Sequence, residues 1–214
     1  MPVPWETFFS FLLAASVLVM SPGPDSMLVI RHSLSSGIKV GLATVAGVQF
    51  GLLGHNLLAV AGISVIIASS PLLFQAVAIL GAGYLGWLGF QALKTRSTLG
   101  VGSDRQAVTP WKGFRDAFIT NLLNPKVIVM FLALLPNFVD AKSPNVTAQL
   151  FTLTAGLIVI NTIWQTPLAL LGKIAREWLE RPNVQTAINR TTGLILLLFA
   201  VLMIYENIIA RHSP

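Results

Sequence analysis

The stretch VLVMSPGPDSMLVI, residues 17–30, decides the fold of this chain, because it is apolar enough for a membrane yet contains two prolines and an acid. A proline inside a helix costs about 3 kcal/mol, and a charge at bilayer depth costs about 2.5 to 3.5 kcal/mol. One other apolar segment is interrupted in this way, at Asn124-Pro125-Lys126. Lipid cannot satisfy the backbone groups that such breaks expose. Secondary transporters place their substrate sites at broken helices, so the pattern predicts a transporter.

The composition agrees with a membrane protein and excludes several other classes. Of the 214 residues, 54% are hydrophobic and only 10% are charged, which is too apolar for a soluble domain. No cysteine is present, so disulfides and thiolate metal sites are excluded. The basic residues lie in short loops without interleaved aromatic residues, which argues against a nucleic-acid partner. We also find no signal peptide at the start and expect the first apolar segment to be retained.

Gaps between charged residues predict six transmembrane helices. Residues 7–30 carry only Asp25, residues 40–93 carry no charged side chain, and residues 117–139 carry only Lys126. One span needs about 20 residues, so the middle gap must hold two, divided at Ser69-Ser70-Pro71. Residues 143–172 and 191–210 supply the last two spans.

The polar stretch 95–112 divides a single transmembrane domain, residues 1–214, into repeat one (1–94) and repeat two (113–214). Three spans per repeat force the second repeat to enter the membrane in the opposite sense. The predicted fold is therefore an all-α polytopic membrane protein of two inverted three-helix repeats, whose first and fourth helices are broken by proline. Most basic residues fall in the loops after spans one, three and five, which places those loops in the cytoplasm and both termini outside.

The two breaks supply the predicted substrate-binding residues, which are Pro22, Gly23, Pro24, Asp25, Asn124, Pro125 and Lys126. The half-helix that begins near Asp25 would point its positive end at the break, where a substrate carboxylate could bind. Asp25 and Lys126 each follow a proline and occupy matching positions. We expect Asp25 to meet an amino group or a proton, and Lys126 to meet a carboxylate or Asp25 itself; the alternative is that each satisfies its own loop.

Polar residues in the middle span of each repeat predict a pathway. Gln49, His55 and Asn56 lie in span two, and Asn161 and Gln165 lie in span five. They could line a polar path or relay a proton, or they could serve only to bond helices together. The three histidines are too dispersed for a metal site and no enzyme motif is present, so neither an enzyme nor a bound cofactor is predicted.

Several motifs in order resemble the LysE/RhtB family of bacterial amino-acid exporters. They are Ser21 to Asp25 with Gly37 and Gly41, Tyr84-Leu-Gly-Trp-Leu-Gly89, Asn121-Leu-Leu-Asn-Pro-Lys126, and Pro136-Asn-Phe138. The resemblance implies a plasma (inner) membrane protein that exports neutral amino acids such as threonine, homoserine or leucine, driven by protons through alternating access. The family pattern also accepts asparagine where this chain has Asp25, and Asn137 is a mild departure from its usual glutamine. A passive amino-acid channel is the alternative, and whether the unit is a monomer or a homodimer stays open.

Overall fold

The computed structural model describes residues 2–21, 23–69, 71–94, 107–179 and 181–205. Within these ranges the chain is helical, with short turns and no strand, which confirms the all-α prediction. In chain order the helices are α1 (Trp5–Met20), α2 (Pro24–Ser36), α3 (Ile38–Ser69), α4 (Pro71–Lys94), α5 (Pro110–Leu122), α6 (Pro125–Val129), α7 (Val146–Leu170), α8 (Gly172–Leu179) and α9 (Pro182–Ile204). After α6 the chain continues as a π-helical stretch, Met130–Leu134, and a short 3-10 helix, Leu135–Phe138.

Prolines determine where several of these helices begin. Pro24, Pro110, Pro125 and Pro182 are each the first helical residue of their element. A proline is tolerated there because its missing N–H would have no partner inside the helix, and its φ already suits one. The prolines that sequence patterning treats as breaks are therefore also the starts of new half-helices.

Both predicted breaks bend the chain strongly. The axes of α1 and α2 meet at 55°, and α5 meets the helical segment Lys126–Phe138 at 57°. Each half is too short to cross a bilayer of about 30 Å at a rise of about 1.5 Å per residue. Each bent pair can therefore serve as one broken span, as the sequence predicts for the first and fourth helices.

By length and composition, three helical segments in the described part of the chain could each cross a membrane, namely Ile38–Gly62, Val146–Leu170 and Pro182–Leu202. The two bent pairs raise this number to as many as five. The chain also divides at Pro71 as predicted, and α4 then runs for 24 residues in the position of the third span. Six spans in two inverted repeats remain a prediction.

The predicted starts of two spans are wrong. The last helix begins at Pro182 rather than at residue 191, and α5 begins at Pro110, inside the predicted linker 95–112. Counting gaps between charges fails here because Arg190 and Arg115 are exposed on helix surfaces and need not end a helix. Residues 95–106 of the linker and residues 206–214 lie outside the described part.

Glycines allow the long helices to approach closely. In α3, Gly47 lies against the backbone carbonyl of Phe114 in α5, so that a side chain at residue 47 would collide with it. Gly89 of α4 and Gly193 of α9 each pack against the backbone carbonyl oxygen of the other. A Cβ at residue 89 would lie 2.8 Å from the oxygen of Gly193, and a Cβ at residue 193 would lie 2.7 Å from the oxygen of Gly89. α3 thus packs on α5 and also on α7, and α4 packs on α9. These glycines therefore serve helix packing.

Candidate functional site

The two breaks meet at a small cavity of about 40 Å³. Its apolar lining comes from Leu18, Val19, Leu52, Val127, Met130 and Leu157, and the rest comes from Gly23, Asp25, Ser26, Asn121, Asn124, Lys126, Asn161 and Gln165. One water needs roughly 10–15 Å³ by this measure, so the cavity can hold a few waters. A polar cavity of this kind is what satisfies helix breaks at membrane depth.

The half-helices α2 and α6 begin beside this cavity with different caps. Gly23 precedes α2 in an extended conformation and offers no side-chain cap. Asn124 precedes α6, and its side-chain oxygen accepts a hydrogen bond from the backbone N–H of Lys126 at 3.0 Å. In both cases the positive end of a helix faces the region of the break, which favours an anion there.

Asp25 is held by two amides of the second break. Its Oδ2 accepts hydrogen bonds from Nδ2 of Asn121 at 2.9 Å and from Nδ2 of Asn124 at 3.0 Å. The side chain is buried, and Oδ1 has no hydrogen-bond partner. A buried acceptor without a partner is costly, so this oxygen is suited to receive a donor from a bound molecule.

Lys126 reaches in the opposite direction, from the second break to the first. Its Nζ donates a hydrogen bond to the backbone carbonyl of Ser21 at 2.6 Å, and Gly23 lies nearby. The carbonyls at the end of α1 have no partner inside the helix, and a lysine there also complements the negative helix end. In the part of the chain that the structure describes, Lys126 and Asp25 do not form an ion pair within 4 Å.

The structure brings together three of the five polar residues of the predicted pathway. Nδ2 of Asn161 donates to Oε1 of Gln49 at 3.3 Å, and Nε2 of Gln49 donates to Oε1 of Gln165 at 3.4 Å. Asn161 and Gln165 also line the cavity. Gln49 does not line it but is hydrogen-bonded to both of these residues. These three residues therefore form one hydrogen-bonded group at the cavity wall.

His55 and Asn56 lie away from the cavity lining. His55 Nε2 donates to the backbone carbonyl of Asn121 at 3.1 Å, and its ring stacks on Phe131 at 5.3 Å between centroids. Asn56 Oδ1 accepts a hydrogen bond from the hydroxyl of Thr154 at 2.8 Å. Both residues join α3 to its neighbours, and His55 also supports the backbone that carries Asn121.

The prolines of the predicted site contribute through the backbone. Pro24 and Pro125 start α2 and α6, and Pro24 does not line the cavity. Pro22 lies outside the described residues. The proline positions therefore place the break, while the residues beside them supply its polar side chains.

Asn121 is a residue of the candidate site that sequence reasoning missed, although it belongs to a quoted motif. Its side chain is fully buried, its amide binds Asp25, and its carbonyl binds His55. Gly51 of α3 makes room for it, since a Cβ at residue 51 would lie 2.5 to 2.8 Å from the Asn121 side chain. Asn121 and Asn124 stand in the same motif on either side of the break and both donate to Oδ2 of Asp25, and their pairing in that motif was the available signal.

Residues 16–207 match the sequence model of the LysE type translocators. The chain belongs to the LysE translocator family. A homoserine/homoserine lactone efflux protein of Salmonella typhimurium is 30% identical over 209 residues, which cover 98% of this chain and 99% of the relative. A membrane protein of Vibrio cholerae is 30% identical over 188 residues, covering 88% of this chain and 91% of the relative. The Bacillus subtilis membrane protein YrhP is 28% identical over 205 residues, covering 92% and 97%. No solved structure matches.

Membership of the LysE translocator family confirms the resemblance read from the motifs. It also makes the chain a multi-pass membrane protein and a transporter rather than an enzyme. The matched region includes both breaks and the cavity between them, so the site belongs to the part of the chain that the family shares.

Proposed function

We propose that this protein is a secondary active exporter of neutral amino acids or close derivatives. The observation that carries the proposal is a small cavity at the junction of two broken helices, lined in part by an acid from one break and a lysine from the other. Secondary transporters bind substrate at such junctions. The efflux protein of Salmonella typhimurium, whose name gives homoserine and its lactone as cargo, supports an amino-acid derivative as substrate.

The cavity offers complementary groups for a zwitterion, but at about 40 Å³ it must widen to admit one, since ligand pockets measure about 300–1,000 Å³. A substrate ammonium group would bind the unpartnered Oδ1 of Asp25. A substrate carboxylate would bind the positive ends of α2 and α6, assisted by Lys126, whose ammonium uses one donor for Ser21 and has three in all. Since one acid and one base contribute, a substrate without net side-chain charge fits best.

Alternating access is the proposed mechanism, with the two repeats moving about the cavity. The packing supports this, because α3 contacts α5 of the other repeat while α2 contacts α7, and α4 contacts α9. Each contact joins an element of one predicted repeat to an element of the other, so the two repeats meet along shared helix faces. Protons would drive export from the cytoplasm of a bacterial cell through its inner membrane, with both termini outside.

Proteoliposomes test the proposal directly. Vesicles containing the protein are loaded with threonine, homoserine, leucine or lysine, and efflux is followed with and without an imposed pH gradient. We expect saturable, uphill efflux of a neutral amino acid that Asp25→Ala abolishes and Glu6→Gln, at an exposed position on α1, leaves unchanged. No gradient-driven efflux of any of them would contradict an exporter, and unsaturable downhill flux alone would favour a passive channel.

A further inference from the structure

A second cavity lies away from the cavity at the breaks, in a groove between the end of α7 and the short helix α8. Its volume is about 320 Å³, at the lower end of the range for ligand pockets, which is about 300–1,000 Å³. None of its lining residues lines the first cavity. Its apolar wall includes Trp164, Pro167, Ile174 and Trp178.

The arrangement of α8 explains why the groove is left open. Gly172, Ala175 and Leu179 are buried on one side of this helix and fix it to the protein. Ile174 and Trp178, four residues apart and so on one face, line the groove and remain 64% and 43% exposed. Exposed apolar side chains of this size are expected to contact lipid in a membrane protein, and tryptophan favours the interface between bilayer and water.

The groove also has polar groups that lipid tails alone do not satisfy. Glu177 and Arg181 contribute one negative and one positive side chain to the lining. Lys173 lies 3.9 Å from Glu177, but both side chains are largely exposed, so this pair is weak and can be displaced.

We propose that this groove binds one phospholipid with a primary ammonium headgroup, that is, a phosphatidylethanolamine. Its ammonium group pairs with Glu177 and its phosphate with Arg181. An acyl chain lies along Ile174 and Trp178. A phosphatidylcholine has no N–H to donate to Glu177, and a phosphatidylglycerol has no cation for it. The opposite charges in the groove therefore favour phosphatidylethanolamine over both.

Fluorescence quenching by brominated lipids tests the proposal on the full chain. Trp5, Trp87 and Trp111, which are 61%, 51% and 70% exposed, are replaced by phenylalanine so that Trp164 and Trp178 report on the groove. The protein is reconstituted in phosphatidylcholine, and quenching is titrated with brominated phosphatidylethanolamine, phosphatidylglycerol or phosphatidylcholine. We expect phosphatidylethanolamine to bind about 1.5- to 5-fold more tightly than either, as one exposed charge pair provides.

Three substitutions decide whether the charges act as proposed. Glu177→Gln should remove the preference over phosphatidylcholine, Arg181→Gln should weaken binding of every phospholipid, and the exposed control Glu6→Gln should change nothing. Lys173→Gln removes the competing partner of Glu177 and should raise the preference, and its side chain is 83% exposed, so folding is preserved. Equal quenching by the three lipids in the parent protein, or a preference that survives Glu177→Gln or falls with Lys173→Gln, would overturn the proposal.

Discussion

The two helix breaks have the same backbone design but opposite side-chain chemistry. Each starts a new half-helix at a proline and bends the chain by nearly the same angle, 55° and 57°. The first break supplies an acid and a bare carbonyl, whereas the second supplies a lysine and two amides. The donors to Asp25 come from the second break, and the acceptor for Lys126 comes from the first. Each break is therefore stabilised by the other, which keeps the site at the contact between them.

Removing the acid, Asp25, should have the largest effect on the hydrogen bonds between the two breaks. Asp25→Ala leaves the amides of Asn121 and Asn124 buried without an acceptor, at about 1–3 kcal/mol each. We expect a clearly lower unfolding temperature in detergent and loss of transport. Asp25→Asn retains an acceptor oxygen and should recover most of the stability. Equal thermal stability of the alanine variant and the parent protein would show that the cross-contacts do not stabilise the breaks.

Removing the lysine should have the next largest effect. Lys126→Met deletes the hydrogen bond to the carbonyl of Ser21, and hydrogen bonds to charged groups contribute about 1.5–3 kcal/mol. We expect destabilisation in that range and a raised KM for the amino acid in proteoliposomes. Lys142→Met, at a position in a turn near the start of α7, is the matched control and should have little effect. A parent-like KM for Lys126→Met would remove Lys126 from the binding site.

The space reserved for Asn121 provides a sharper test on a single helix. Gly51→Ala forces the Asn121 side chain to move, because the new Cβ would lie 2.5 Å from its Oδ1, and overpacking costs about 1–3 kcal/mol. Gly62→Ala, also in α3, meets nothing within 4 Å and should stabilise the helix by up to about 1 kcal/mol. Chemical denaturation of both variants measures the difference. If Gly51→Ala is as stable as Gly62→Ala, the close contact with Asn121 is not important.

Substitutions at the helix caps should have the smallest effect on stability. This effect should differ between the two breaks. Asn124→Ala removes a helix cap worth about 0.5–2 kcal/mol and one hydrogen bond to Asp25. Gly23→Ala should cost less, since its backbone is extended and the nearest side-chain atom lies 3.7 Å from the new Cβ. Thermal unfolding of both variants makes the comparison. Equal losses would contradict the assignment of different caps.

Local chemistry explains why the sequence predicts the breaks well and their contacts poorly. Proline acts on its own backbone, so Pro24, Pro71 and Pro125 mark helix starts without knowledge of the fold. Asn121 is different, because its importance depends on Asp25 and Gly51, which are distant in sequence. The relation between Asp25 and Lys126 shows the same limit, since matching positions predict proximity to one cavity but not which atoms are bonded. The start of the last helix was missed because exposed charges can lie on a helix surface.

The chain after the second break is regular for only five residues of α6 before it becomes π-helical at Met130–Leu134 and then 3-10, whereas α2 continues as a regular helix for 13 residues. We therefore expect α2 to move as a rigid helix and the segment Met130–Leu134 to deform more easily, because a π turn holds an extra residue that a small rearrangement can release. α4 packs on this π-helical segment, and it also packs closely on α9 through Gly89 and Gly193. A shift at the second break would accordingly displace α4 and α9 together, whereas a shift at the first break would move α2 as one rigid helix.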